Sequence, residues 1–222
     1  MIRVSLLCED RTGGGLAEVL QRAANAARST AGKPPIAFGP AGTLLNNHEL
    51  IRRCRAYDLL RFRTSPAADH VYYVIDAKRL WDLKFLHLTA PAPGESPLDF
   101  LRRAEEAACR AMIREARSDR GEEEWLTIAT GFHPHVLLWE RESLIVAVSD
   151  AVNLGPPDDA DKVRNADAWV GQRFRQHRNA KYVKGRDGIL LLREIAASAE
   201  LRDRILHANA SVRAIVDSMA AI

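Results

Sequence analysis

Val71-Tyr72-Tyr73-Val74-Ile75 runs directly into Asp76. Five consecutive β-branched and aromatic residues with no polar interruption read as a strand buried on both faces, the pattern of a parallel sheet. Two other segments repeat the arrangement. Upstream, Ile2-Arg3-Val4-Ser5-Leu6-Leu7-Cys8 stops at Glu9-Asp10, and downstream Val136-Leu137-Leu138-Trp139 runs into Glu140 and Glu142. Parallel α/β sheets place their chemistry at the carboxyl ends of strands, so acids distant in sequence converge there. Convergent carboxylates repel one another unless a cation intervenes, and oxygen-rich sites suit Mg²⁺.

Between these strands the pattern turns helical. Leu16, Val19, Leu20, Ala23 and Ala27 recur at helix spacing after Thr12-Gly13-Gly14-Gly15, in a segment ending near Thr30. Gly32-Lys33-Pro34-Pro35 breaks it, and Ile36-Ala37-Phe38 reads as a short strand. Asn46 and Asn47 suit a helix cap, with apolar spacing that extends to about Phe62. Residues 82–96 read as a loop. Ser96-Pro97 opens a long helix striped by Phe100, Leu101, Ala104, Ala107, Ala108 and Met112. Trp125–Thr130 reads as a further strand, with Glu122-Glu123-Glu124 as the solvated turn before it. From Trp139 to Val148 helix and strand both fit. Beyond Gly155-Pro156-Pro157-Asp158-Asp159 the chain looks almost wholly helical. The expected fold is therefore α/β, with a central, mostly parallel sheet flanked by helices in residues 1–153 and a helical C-terminal extension in 154–222.

The chain has 222 residues, 47% apolar and 27% charged, enough to bury a substantial core. It lacks the ~20 consecutive apolar residues of a membrane span. Its N-terminus also lacks the regions of a signal peptide, so a cytoplasmic protein that does not bind membrane is expected. Cys8, Cys54 and Cys109 are odd in number and widely spaced, which reads as reduced thiols. The net charge of +3 excludes a uniformly strong polyanion binder. Cations nevertheless concentrate at Lys162, Arg164, Arg173, Arg175, Arg178, Lys181, Lys184 and Arg186, either a solvated helix face or a phosphate-contacting one.

Glu9 and Asp76 are the leading site candidates; Asp82, six residues past Asp76 along an uncertain path, is a weaker one. The glycine turn after Glu9 offers backbone N–H groups and a helix N-terminus to phosphate but lacks the lysine of a P-loop. Lys78 and Arg79 would neutralise Asp76 if its role were structural. Of Glu140 and Glu142, Glu142 is the preferred candidate, with Arg141 as a surface partner. His133 and His135 have metal-ligand spacing but lack a third ligand at a sensible distance. Ser5 and Ser149 lack a nucleophile-elbow context.

The order strand-Glu-turn-helix, strand-Asp, then Pro134-His135-Val136-Leu137-Leu138-Trp139-Glu140-Arg141-Glu142-Ser143-Leu144, closing on Tyr182-Val183-Lys184-Gly185-Arg186-Asp187-Gly188, resembles a Toprim-like family of uncharacterised bacterial proteins. That family is similar to the nuclease half of overcoming-lysogenization-defect proteins. The resemblance implies Mg²⁺- or Mn²⁺-dependent phosphodiester cleavage in a phage-defence-type system. Glu9, Asp76, Asp82 and Glu142 would be metal ligands, with Asp10 able to fill in, and Glu9 and Lys184 would carry catalysis. Nucleic acid is the implied substrate and a neighbouring ATPase the implied partner. Two departures stand out. The family's Glu-Gly-x-Thr-Glu is Glu9-Asp10-Arg11-Thr12-Gly13 here, and its Asp-x-Asp is Asp76-Ala77-Lys78, a cation in place of a carboxylate. A catalytically weakened subunit that binds an ATPase or nucleic acid is the alternative, and an α/β phosphate-ester enzyme acting on small nucleotides a third.

Overall fold

A computed structural model describes residues 1–8, 15–39, 46–52, 54 and 67–222. Glu9, Asp10, the turn through Gly14 and the expected helix beyond Arg52 lie outside the described residues. The fold is α/β, with a four-stranded parallel sheet, flanking helices and a helical C-terminal region. The described chain forms two compact units that alternate along the sequence.

The first unit carries the sheet, in the order β2-β1-β3-β4. Strand β1 (Arg3–Cys8) pairs in parallel with β2 (Ala37–Phe38) on one side and with β3 (His70–Asp76) on the other, in a register that runs from Val4↔His70 to Cys8↔Val74. Val71 to Ile75 are all buried, as expected for a strand covered on both faces. β4 (Phe132–Leu137) closes the far edge. Two of its backbone donors are taken out of play: Pro134 has no N–H, and the Val136 N–H donates to Glu105 Oε1 at 3.2 Å. An exposed strand edge invites pairing with another chain, and this edge is blunted.

Helix α2 (Asn47–Arg52) and the long α3 (Pro97–Arg120) pack together in the same unit. Ser96 caps α3 by accepting from the Asp99 N–H at 3.1 Å, with Pro97 in the first turn. Gly121, at φ 85°, ends it. The next segment departs from the expected strand: Glu122–Ile128 is helix α4, a 3₁₀ turn spans Ala129–Gly131, and the strand begins only at Phe132. The three glutamates form the first helical turn, where the helix dipole favours negative charge. Trp125 and Ile128, three apart, turn the buried side inward. The 82–96 loop holds a 3₁₀ turn at Lys84–Leu86, after another at Leu80–Asp82.

The second unit takes in α1 (Gly15–Thr30), Asp76–Lys78 and Leu137–Ile222. Its helices are α5 (Ser143–Ala147), α6 (Ala166–Arg178), α7 (Ile189–Ala197), α8 (Ala199–Ala208) and α9 (Ala210–Ala221). α1 packs on α7 and α9. Gly15 makes the first contact possible, since a Cβ there would lie 2.1 Å from Leu192 Cβ. Buried Arg28 donates from Nη1 to the Ile222 carbonyl at 2.8 Å, and Lys33 Nζ donates to the Ala220 and Ala221 carbonyls. Those cations satisfy carbonyls that the end of α9 leaves unpaired. Asn209 caps α9 by accepting from the Val212 N–H at 3.0 Å, while Ser211 Oγ accepts from the Leu138 N–H at 2.9 Å. No helix among the described residues is long and apolar enough to cross a membrane.

Candidate functional site: a buried carboxylate–lysine cluster

The segment with two sequence readings is a turn into a short helix. Glu140, Arg141 and Glu142 precede α5, and both carboxylates are buried, at 1% and 0% exposure. A continuous helix would send the two to different faces and an extended segment would set both on one side; here a turn into α5 brings both inward. Alongside, hydrogen bonds from the Ala77 N–H to the Leu137 carbonyl and from the Lys78 N–H to the Trp139 carbonyl (2.9 and 2.8 Å) set Lys78 next to Glu140.

Five charged side chains meet here: Lys78, Glu140, Arg141, Glu142 and Lys184. Lys78 Nζ donates to Glu140 Oε1 at 2.8 Å and to Asn165 Oδ1 at 2.9 Å. Lys184 Nζ donates to Glu140 Oε2 at 2.9 Å and lies 3.2 Å from Glu142 Oε2. Glu140 Oε1 also accepts from the Asp167 N–H at 3.0 Å, so its carboxylate sits at the positive end of α6. Glu142 Oε1 takes Arg141 Nε at 3.1 Å and the Tyr182 hydroxyl at 3.3 Å. Its Oε2 is buried without a hydrogen bond, so the Lys184 contact is an ion pair lacking hydrogen-bond direction.

Lys184 opens a π-helical turn, Lys184–Gly188, which begins where the Val183 N–H donates to Asp187 Oδ2 at 2.7 Å. Single π turns recur at functional sites. Gly188 is needed for close approach: a Cβ there would lie 2.5 Å from the Tyr182 hydroxyl and 3.4 Å from Glu142 Oε1.

The two carboxyls differ electrostatically. Burial pushes Glu140 up, but the hydrogen bonds from Lys78, the Asp167 amide and Lys184 together hold it below the usual carboxylate range. At Glu142 burial wins over Lys184 and Arg141, and its pKa rises. Burial alone would lower Lys184, yet Glu142 and Glu140 raise it, so it stays charged. Burial, then Glu142, pushes the Tyr182 phenol up.

Of the candidates read from sequence, Glu142 and Lys184 come together. Asp76 ends β3, half-buried, in the same unit. Asp82 lies on an exposed 3₁₀ turn of the sheet unit, and Glu9 falls outside the described residues. Lys78, read as a neutraliser of Asp76, gives its ammonium to Glu140 instead. Arg141 is mostly covered and pairs with Glu142. Asn165, Asp167 and Tyr182 escaped the site reading; Asn165 has the identity and position of an α6 cap, yet its side chain makes no cap hydrogen bond and serves Lys78.

Mg²⁺ does not fit the described residues as they stand. Among them no three carboxylate, histidine or cysteine groups are placed to hold a metal, and lysines occupy Glu140 and Glu142. His133 and His135 go to a different arrangement, in the sheet unit. His133 Nε2 lies 3.0 Å from His70 Nδ1, and its ring stacks on Tyr72 at 4.4 Å between centroids. His135 Nδ1 lies 3.7 Å from Glu105 Oε1.

Fold and cluster together define the class: an α/β protein with a lysine-compensated pair of buried glutamates. No family model, curated protein or solved structure matches the chain. The likeness to Toprim-like proteins therefore rests on the sequence motifs alone.

Proposed function

We propose that the protein is a Toprim-like, nucleic-acid-binding subunit with weakened metal-dependent catalysis, which acts beside an ATPase partner. The observation that carries this reading is the pair of exposed cations, Arg175 and Lys181, within the basic stretch around α6. The salt bridges there use Lys162, Lys184 and Arg186, and leave Arg175 and Lys181 exposed without a carboxylate partner among the described residues. Arg173 and Arg164 are held over the rings of Trp169 and Trp139, at 4.9 and 5.6 Å from their centroids. Cations that lack internal partners are available to phosphates, and binding releases counterions.

Fluorescently labelled single-stranded DNA, duplex DNA and RNA, titrated in EDTA and in Mg²⁺, test it. Binding without cleavage in both buffers is expected; failure to bind any of them refutes the reading. The double variant Arg175→Ala/Lys181→Ala is expected to weaken binding and to flatten the dependence of log K on log salt by about 1 for each cation that touches phosphate.

A Mg²⁺-dependent nuclease is the second reading, with Glu9, Asp76, Asp82 and Glu142 as ligands and Lys184 on phosphate. Glu142 Oε2 favours it, as a buried carboxylate oxygen that accepts no hydrogen bond. Metal-dependent cleavage that disappears in Glu142→Gln would establish this reading over the first.

A further inference from the structure

Two buried carboxylates carry two negative charges, and a low-polarity surrounding demands their compensation. A single divalent cation would supply it. This chain supplies it from within, through two ammonium groups that grip the same carboxylate from opposite oxygens: Lys78 on Glu140 Oε1 and Lys184 on Glu140 Oε2, the latter also reaching Glu142. We infer that Lys78 and Lys184 are the permanent counter-ion of the Glu140–Glu142 pair, that the pair is balanced without a divalent cation, and that Lys78 is the residue that excludes one. The inference goes beyond nucleic-acid binding, since it holds whatever anion the basic stretch contacts.

Three features make the ammoniums fixed parts of the site. Lys78 is anchored at both ends, by its N–H to the Trp139 carbonyl (2.8 Å) and by its ammonium to Glu140 and Asn165. Glu140 is already engaged on both oxygens by three donors, counting the Asp167 N–H. Glu142 has Arg141 and Tyr182 on one oxygen and Lys184 beside the other. An entering Mg²⁺ must therefore displace Lys184 from both carboxylates and then sit against the Lys78 charge. Mg²⁺ gives up its water reluctantly and needs near-octahedral oxygen ligands, which this crowded set does not present.

Calorimetric titration of MnCl₂ and MgCl₂ into the full chain tests it, on wild type, Glu142→Gln and Lys78→Glu. Lys78→Glu exchanges the ammonium for a carboxylate that faces Glu140, which turns a closed ion cluster into three convergent acids. Wild type is expected to bind neither metal at the cluster, so its titration matches that of Glu142→Gln. Lys78→Glu is expected to take up one equivalent of Mn²⁺, and its Tm to rise as Mn²⁺ is added. Uptake of one equivalent by wild type that Glu142→Gln abolishes overturns the inference, and this comparison stands even if Lys78→Glu does not fold. A folded Lys78→Glu protein that binds no Mn²⁺ overturns the role of Lys78. Neither outcome touches the nucleic-acid reading, whose failure shows as absent binding in EDTA.

Discussion

Two partly buried polar clusters, one in each unit, solve the same physical problem in opposite ways. In the sheet unit, His70, Tyr72, His133 and His135 lie together beside Glu105. There His133 and His70 are pushed toward their neutral forms. Burial, with His70 and His135 as neighbours, lowers His133 to about 4, and burial lowers His70 against the opposing pull of Asp69. In the other unit, Lys78 and Lys184 sit on the two oxygens of Glu140, and Lys184 also reaches Glu142, so the groups are arranged as ion pairs. A neutral cluster stacks and fills space. A paired one carries large opposing energies that cancel only while every partner is present, and perturbed groups of that kind concentrate at functional sites.

The comparison can be broken from either side. The largest effect is expected from Glu140→Ala, which strands the Lys78 ammonium and the Asp167 amide and leaves Lys184 on Glu142 alone. Breaking a buried pair in this way costs about 3 kcal/mol, measurable by urea denaturation. Lys184→Met comes next. It deprives both carboxylates of one cation, but Lys184 is 41% exposed, so solvent screening reduces the expected loss to about 1–2 kcal/mol. The loss also has a sign in pH. Without Lys184 the folded-state pKa of Glu142 rises further above its unfolded value. The penalty is then full above the folded pKa and fades as pH falls toward the unfolded one, so the Tm deficit of Lys184→Met should shrink on acidification.

The histidine side predicts the reverse slope. His133 titrates near 6.5 unfolded and at about 4 folded. In that window the unfolded state binds more protons, so stability is complete above about 6.5 and declines as pH falls toward 4. His133→Gln is expected to remove about 1 kcal/mol of that decline, after allowance for its partial exposure, visible as a flatter Tm profile. An unchanged profile would mean that the neutral cluster is not held by its histidines.

Much of the fold was legible. Val71–Ile75 reads as a buried strand because every position is apolar, and α1 and α3 show their stripes and, for α3, its Ser96-Pro97 start. Trp125–Ile128 misled because a short apolar run with Trp, Thr and Ile suits a strand as well as a helix. The deciding feature was the φ 85° turn at Gly121, which restarts a helix straight into three glutamates. The site was legible in half. Glu142 and Lys184 could be singled out, but the partner of Lys78 lies 62 residues on, and that of His70 lies 63 on. Local pattern does not encode such pairings; the strand neighbours that create them do.

The central claim is that Glu140 is held by real ion pairs, and a double-mutant cycle tests it most directly. Stability is measured for wild type, Lys78→Met, Glu140→Gln and the pair together. The account predicts a coupling energy of about 1–2 kcal/mol between the two sites; additivity within about 0.3 kcal/mol would contradict it.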